Sequence, residues 1–271
     1  MIYGGLKRLL AATAAVAAVS LWPVGTALSV GVPMTLVLTP VIAVNPVGAL
    51  HCVTATLRDD TGATMPGVFI DFWVSPSNSA TNPTPGFGSI KTNAIGQAQF
   101  CYRGFAPGLD TINAVAEGGV AAPTTQGSTG SPSAVAFKVW APMANLQLCQ
   151  VDITNGGWFI ADNLDHVNFG GNAQNDSGGN PSGQEEFQDQ GPAQPMNVHT
   201  ISIAGIVCND DRTSATIYGE ATMNGSGDHP FKIDVTDAGE PGTNDMYGLT
   251  FFDTPYTSGL HLLMGGNIQI H

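Results

Sequence analysis

The sequence has 271 residues and a net charge of −13 at pH 7, because 21 Asp and Glu outnumber 8 Lys and Arg. This acidity argues against nucleic acid and anionic membrane surfaces as partners and favours cations or basic surfaces. Only 11% of the residues are charged, and 34 Gly and 18 Pro supply many turns. These features indicate an all-β protein of one large domain or two ordinary ones.

Residues 1–27 are predicted to be a signal peptide. Lys7 and Arg8 precede an apolar run at residues 9–22, and Gly25-Thr26-Ala27 offers the small residues of a cleavage site. The run is shorter than the roughly 20 residues of a membrane span, and no later segment is long and apolar enough to be one. We therefore expect a mature chain from about Leu28, secreted to the extracellular space or the cell surface, with no membrane span.

Residues 28–144 are predicted to form an immunoglobulin-like β-sandwich. Alternating strand patterns surround Cys52 and Cys101, and a strand-like run between them carries Trp73. Turn residues separate these runs, and no helical period interrupts them. Cys, Trp and Cys on successive strands are typical of an immunoglobulin-like domain, in which the disulfide joins the two sheets and the Trp packs on it.

Four Cys in an exported chain predict two disulfides, for which three pairings are possible. We favour Cys52 with Cys101 and Cys149 with Cys208, because each bond then staples one domain. Free buried thiols are the alternative.

Residues 145–271 are predicted to form a second β-domain, a β-sandwich or barrel. This half has 16 Asp and Glu against two Lys and Arg, a net charge of −14, whereas residues 28–144 carry −1. The Gly-, Asn- and Gln-rich stretch 172–195 is predicted to be a surface loop around a short strand at 185–188. Further strand patterns lie at residues 166–169, 198–203, 214–222, 231–235, 247–252 and 267–270.

The bend at residues 237–245 is the candidate metal site. Asp237, Glu240 and Asp245 surround a sharp turn rich in Gly and Pro. Hard oxygen ligands of this kind suit Ca²⁺, although the spacing differs from that of the helical calcium loop. The alternative is that Asp237 and Asp245 accept hydrogen bonds from backbone N–H groups and hold the hairpin.

No catalytic site and no other cofactor are predicted. The chain lacks His-Glu-x-x-His, Cys-x-x-Cys and Gly-x-Ser-x-Gly motifs. Glu185 and Glu186 are adjacent, so on a strand they face opposite sides and cannot act as a carboxylate pair. We therefore expect a protein that is not an enzyme.

Aromatic residues of the second domain offer a binding hypothesis. If some of them share an exposed sheet face, they could stack on sugars or on peptide side chains. The alternative is that they are core residues of a small β-domain. The set is Trp158, Phe159, Tyr247, Phe251, Phe252 and Tyr256.

Residues from about 36 to 141 resemble the bacterial immunoglobulin-like domain of the invasin and intimin type. The matching segments are Thr39-Pro40, residues 45–48, 53–59 with Gly62, 68–72, 92–98, Tyr102 and 108–114. The resemblance implies a spacer or adhesive module on the cell exterior and carries over no binding residue.

Residues from about 147 to 271 resemble a C-terminal β-domain of uncharacterised secreted proteins from high-GC Gram-positive bacteria. The matching segments are residues 187–189, 219–225, 239–242 with Asp245, and 265–271. This second resemblance implies location and no activity.

Together these features predict a secreted, non-catalytic structural or adhesive protein. The immunoglobulin-like domain would act as a spacer, and the acidic domain would contact an extracellular protein or glycan. The alternative is an accessory or catalytic domain of an extracellular hydrolase, such as a carbohydrate-active one. A hydrolase needs a concave pocket with converging titratable groups, whereas an adhesive module needs an exposed patch or sheet edge.

Overall fold

A computed structural model describes residues 33–76, 78, 87–117, 131–142 and 149–271. The predicted signal peptide and the predicted domain boundary at 144–145 lie outside these residues. The described chain contains strands and one short 3₁₀ turn, Gly242–Asn244, and it has no α-helix. The all-β prediction is therefore confirmed.

Eight strands form the first part of the chain, and they are arranged in two facing sheets. The order β1-β3-β6 makes a three-stranded sheet, and β2-β8-β7-β4-β5 makes a five-stranded one. All neighbours are antiparallel except β2 and β8, which are parallel. The strands are β1 (Pro33–Thr39), β2 (Ile42–Pro46), β3 (Leu50–Asp59), β4 (Phe69–Pro76), β5 (Phe87–Lys91), β6 (Gln97–Arg103), β7 (Gly108–Ala116) and β8 (Ser133–Ala141).

The core of this sandwich follows from side-chain alternation. Leu57 on β3, Ile70 and Phe72 on β4 and Ile112 on β7 are fully buried between the sheets. Alternate residues of each strand point to this core because successive side chains of a strand face opposite sides. The two-sheet arrangement confirms the predicted immunoglobulin-like sandwich.

The first disulfide has the predicted partners, but the predicted role is wrong. Cys52 on β3 lies directly opposite Cys101 on β6, with Cα atoms 4.0 Å apart. The bond therefore joins neighbouring strands of one sheet instead of the two sheets. Its position follows from alternation, because His51 and Val53 point to the core and Cys52 between them points outward.

Trp73 does not pack on the disulfide, which is a second correction. Phe72 and Val74 point to the core, so Trp73 between them lies on the outer face of the five-stranded sheet. The buried tryptophan is Trp140 on β8, whose ring meets Tyr102 edge-on at 5.6 Å. The spacing of Cys and Trp thus indicated the right fold through the wrong contact.

Nine strands form the second part as one meander in which chain neighbours from β9 to β16 pair antiparallel. The order is β16-β15-β14-β13-β12-β11-β10-β9-β17. The strands are β9 (Asp152–Ile160), β10 (His166–Asn175), β11 (Pro181–Asp189), β12 (Met196–Cys208), β13 (Ser214–Met223), β14 (Ser226–Thr236), β15 (Met246–Phe251), β16 (His261–Leu262) and β17 (Gly265–Ile270).

The meander curls because its last segment pairs with both ends. β16 pairs with β15, and β17, two residues later, pairs with β9. We call residues 258–270 the closing segment. Inward residues from nearly every strand, among them Phe159, Phe187, Ile217, Phe231 and Leu249, share one core. Of the two predicted alternatives, the curled, barrel-like sheet is the one found.

The predicted loop at 172–195 is largely strand, which is a correction. β10 continues to Asn175, and β11 runs from Pro181 to Asp189. The glycines that suggested a loop allow close approach between strands. A Cβ atom on Gly183 would lie only 2.1 Å from the carbonyl oxygen of Asn172.

The second disulfide joins Cys149, just before β9, to Cys208 at the end of β12, as predicted. It therefore ties the start of the second part to a strand three positions away in the sheet.

The two parts contact each other. Phe137 on β8 stacks on Phe252 at a centroid distance of 5.3 Å, and Val44 on β2 packs against Gly205 on β12. The Glu220 carboxylate accepts a hydrogen bond from the Ile42 backbone N–H. The sheets separate along the sequence between Pro142 and Cys149. The division into domains 28–144 and 145–271 stays a prediction.

Candidate binding surfaces

The bend after β14 was the candidate metal site, and in the structure it is hydrogen-bonded to β17. Asp245 is fully buried; one carboxylate oxygen accepts the Ala238 N–H at 2.9 Å, and the other accepts the Ile268 N–H at 2.8 Å. Asp237 accepts the N–H groups of Gly239 at 2.9 Å and Ile270 at 3.0 Å.

Glu240 belongs to the same bend and accepts hydrogen bonds from Asn267 Nδ2 at 2.8 Å and Gln269 Nε2 at 3.1 Å. All three carboxylates thus face donors on β17, which favours a structural role. In the described chain, no group of three or more His, Cys, Asp or Glu side chains is arranged to hold a metal. The calcium site stays a prediction.

Glu185 is the most perturbed carboxyl group of the curled sheet. It points inward while Glu186 points outward and contacts His199. Burial raises the pKa of Glu185 to about 8. A hydrogen bond that Asn155 Nδ2 donates at 2.8 Å lowers the pKa, but its effect is smaller than that of burial. Glu185 therefore lies in the interior of the curled sheet.

The sandwich holds its own buried polar group, which the sequence analysis missed. Lys138 on β8 is fully buried; its Nζ donates to the Val139 carbonyl at 2.6 Å and lies 4.1 Å from the centre of the Trp140 ring. Burial lowers the pKa of Lys138 to about 7, although nearby Asp110 opposes the shift. Burial and then the Lys138 charge lower the pKa of His51 to about 4.

The sequence carried one signal for this buried lysine. Residues 136–141 of β8 are buried on both faces, since one face points to the sandwich core and the other bears Phe137, which packs against the second part. A lysine inside a continuous apolar run is therefore surrounded by protein whichever face it occupies.

Most of the aromatic residues proposed as a binding face are core residues. Phe159, Tyr247, Phe251 and Tyr256 are buried inside the curled sheet. Phe252 lies at the contact between the two parts. Trp158 faces outward and stacks on His166 at 5.1 Å. Of the two alternatives for these residues, the structure therefore agrees with core residues of the β-domain.

An exposed aromatic surface lies instead on the outer side of the five-stranded sheet. Trp73 on β4 is directly opposite Phe87 on β5, and Asn113 on β7 is opposite Trp73 on its other side. Phe69 and Asp71 precede Trp73 on the same side of β4. Phe69 is 44% exposed and Phe87 is 51% exposed. We call these five residues the aromatic face.

A cavity of about 390 Å³ lies between the two parts. Its wall is mostly apolar and contains no carboxyl group, with Leu109, Trp140 and Phe252 among its residues. Its titratable groups are Lys232, which is paired with Asp234 at 2.6 Å, and Tyr218. Burial and then the Asp234 charge raise the pKa of Tyr218 to about 12.

Comparisons with known proteins add little. No family model matches the chain, and no curated protein matches it. The D0–D1 domain of intimin is similar at 14% identity and a TM-score of 0.31, over 86% of this chain and 100% of that one. Domains 5–6 of the S-layer protein SbsC are similar at 11% identity and a TM-score of 0.27, over 85% and 96%. Likeness this distant carries no argument, so the fold assignment rests on strand order.

A search of the described residues for a helix of sufficient length and hydropathy to cross a membrane found none.

Proposed function

We propose that the protein is a secreted or cell-surface binding protein without catalytic activity, and that it binds glycans through the aromatic face. The observation that supports this proposal is the pairing of half-buried Trp73 with exposed Phe87 across neighbouring strands, on the same sheet side as exposed Phe69. Neighbouring apolar side chains that form one exposed patch on a sheet surface are typical of an interaction site.

The chemistry of the face suits a sugar polymer. The C–H groups of a sugar ring carry partial positive charge and stack on the electron-rich face of an aromatic ring. Phe69 and Trp73 are four residues apart, about 13 Å along the strand, which leaves room for more than one sugar. Asp71 lies between them, with its Oδ1 buried and its side chain hydrogen-bonded with Glu117. Asn113 lies beside Trp73, so its amide would offer sugar hydroxyl groups a hydrogen-bonding partner.

The absence of catalysis is proposed from the positions of the perturbed groups. Glu185, Lys138 and His51 have the shifted pKa values expected of catalytic residues, yet all three are buried in cores. Their shifts follow mainly from burial. They therefore act on stability and not on a substrate.

A second candidate is the accessory module of an extracellular carbohydrate-active enzyme. The same aromatic face favours it, because such a module also holds a polysaccharide. The two candidates differ in whether a catalytic domain accompanies this chain.

The test is depletion of the full chain, without its signal peptide, by insoluble cellulose, chitin and peptidoglycan. We expect saturable binding to at least one polymer and loss of about tenfold in affinity for the Trp73→Ala, Phe87→Ala double variant. Ile95→Ala removes a side chain that is 59% exposed elsewhere on the first part and serves as the control. Binding that the double variant retains in full, or no binding to any polymer, would contradict the proposal.

A further inference from the structure

We propose that an apolar patch on the closing segment of the curled sheet binds a basic, amphipathic segment of another protein. The patch consists of Ile160, Leu164, Leu260, Leu262 and Met264, and we call it the seam patch. This proposal is independent of the glycan proposal, because the seam patch and the aromatic face lie on different parts of the chain.

The seam patch arises where the closing segment crosses from β15 to β9. Leu262 pairs with Met246 on β15, whereas the Met264 N–H donates to the Trp158 carbonyl oxygen of β9 at 2.9 Å. Ile160 follows Trp158 on the outward side of the same strand. Strands from both ends of the meander therefore bring apolar side chains to one seam.

The side chains of the seam patch point to solvent because successive residues of an extended chain face opposite sides. Along the closing segment, Leu263 is buried, while Leu260 is 48%, Leu262 is 55% and Met264 is 58% exposed. Leu164, in the turn after β9, is 82% exposed and has a φ of 69°, a conformation that a leucine rarely adopts. Single exposed apolar side chains are common on protein surfaces, whereas several that gather at one seam are typical of a contact surface.

The charge around the seam patch indicates the chemistry of the partner. Asp162 lies in the same turn as Leu164, and its side chain is 59% exposed. Glu240 lies over the outward amides of β17, at the other end of the closing segment. Lys232, the lysine of the second half, is paired with Asp234. Near the seam patch, His261 contacts Asp162 and His166 stacks on Trp158.

The whole second half of the chain is acidic, because residues 145–271 contain 16 Asp and Glu but only two Lys and Arg. Such a field attracts a positively charged partner and repels an acidic one. An apolar patch within an acidic surface therefore fits a segment that carries apolar residues on one side and Lys or Arg on the other.

The test is fluorescence anisotropy of a labelled peptide of alternating Leu and Lys with the full mature chain. A peptide in which Glu replaces every Lys is the charge control. We expect the basic peptide to bind, the acidic one not to bind, and the affinity to fall as salt is raised from about 50 to 300 mM. The Leu262→Ser, Met264→Ser double variant should lose about tenfold in affinity.

Matched variants distinguish binding at the seam patch from nonspecific hydrophobic binding. Ile95→Ser removes an equally exposed apolar side chain on the first part and should bind as the unaltered chain does. Glu240→Gln keeps an acceptor for its amide donors and should weaken binding several-fold through charge alone.

Three results would overturn the proposal. If the acidic peptide bound as tightly as the basic one, the charge of the partner would not matter. If Ile95→Ser lost as much affinity as Leu262→Ser, Met264→Ser, the binding would not depend on the seam patch. Self-association that Leu262→Ser, Met264→Ser abolishes would assign the patch to a second copy of this chain. Failure of these tests leaves the glycan proposal intact, since Trp73 and Phe87 take no part in them.

Discussion

Each of the two parts of the chain contains buried polar side chains that affect its stability. Inside the curled sheet, Glu185 Oε2 and the Tyr247 hydroxyl have no hydrogen-bond partner. Unpaired buried groups of this kind cost free energy. Their consequences are measurable as a dependence of stability on pH.

Glu185→Gln should remove one part of that pH dependence. The pKa of Glu185 is raised from 4.5 to about 8 in the folded protein. Between these values the folded protein keeps a proton that the unfolded chain releases, so this group makes stability fall as pH rises. The free energy of unfolding of the variant, relative to that of the unaltered chain, should therefore rise as the pH is raised from 5 to about 9.

Urea denaturation of both proteins across this range checks the prediction. The difference between the two proteins isolates Glu185 from the other carboxyl groups. A difference that does not change with pH would contradict the raised pKa.

Asp245→Ala should be strongly destabilising. Its two carboxylate oxygens accept the N–H groups of Ala238 and Ile268, and the side chain is fully buried. Loss of both bonds leaves two donors unpaired, at a cost of about 2–4 kcal/mol. Urea denaturation measures this cost, and Asp210→Ala, at an exposed position, is the control with little expected effect. A cost equal to that of the control would contradict the pinned bend.

The same proteins test the calcium prediction. A rise in Tm with Ca²⁺ that a chelator reverses and Glu240→Gln abolishes would support an ion at the bend. A Tm that is identical in both conditions would leave only the hydrogen-bonded hairpin.

Residue alternation explains which site residues the sequence could predict. The opposite orientations of Glu185 and Glu186 follow from the two-residue period of a strand and were predicted. The same rule places Trp73 outside, because Phe72 and Val74 are inside. What it cannot give is the contact between distant residues, such as Lys138 against Trp140 and His51.

At the scale of elements, the strand pair β3 and β6 depends on its disulfide. The Cys52–Cys101 bond closes a loop between residues 49 apart in sequence. The Cys52→Ala, Cys101→Ala double variant should lose about 2–4 kcal/mol, because the unfolded chain regains the entropy that the bond removes. Equilibrium denaturation measures this loss, with the Cys149→Ala, Cys208→Ala pair for comparison. No loss in either double variant would contradict the stapling role of the bonds.

The closing segment shows where sequence patterns stop being informative. The strands β3, β7 and β13 have clear alternation, and the sequence predicts them. β9 was missed because Asn155, Gly156 and Gly157 are turn formers. The structure requires Gly157 there, since a Cβ atom would lie 2.4 Å from the Gly265 carbonyl oxygen of β17. Pairing between the first and last strands of the meander is a long-range property that no local pattern carries.

At the scale of the whole molecule, the contact between the two parts should couple their unfolding. Phe252 of the second part stacks on Phe137 of the first part at 5.3 Å, while its 6.5 Å contact with Tyr218 lies within the second part. Aromatic pairs of this kind contribute about 0.5–1.5 kcal/mol each. We expect one calorimetric transition for the unaltered chain and two resolved transitions for Phe252→Ala.

Phe69→Ala, which removes an exposed ring far from this contact in the fold, should leave a single transition. Two transitions already present in the unaltered chain would instead match the independent domains that the sequence predicts. The sequence could predict an all-β chain from composition and alternation, and an immunoglobulin-like first half from the order of Cys, Trp and Cys on alternating strands. It could not predict the contact, which depends on surfaces formed only after each sheet has folded.

The most direct measurement is NMR titration of the tryptophan indole N–H signals with a soluble oligosaccharide of the polymer that the chain binds. A chain that begins at residue 28, without the predicted signal peptide, has three such signals, from Trp73, Trp140 and Trp158, and Trp73→Phe assigns the first. We predict that the Trp73 signal shifts in a saturable manner while buried Trp140 does not respond. A titration that moves the Trp158 signal and leaves Trp73 unchanged would place the ligand elsewhere and contradict the account.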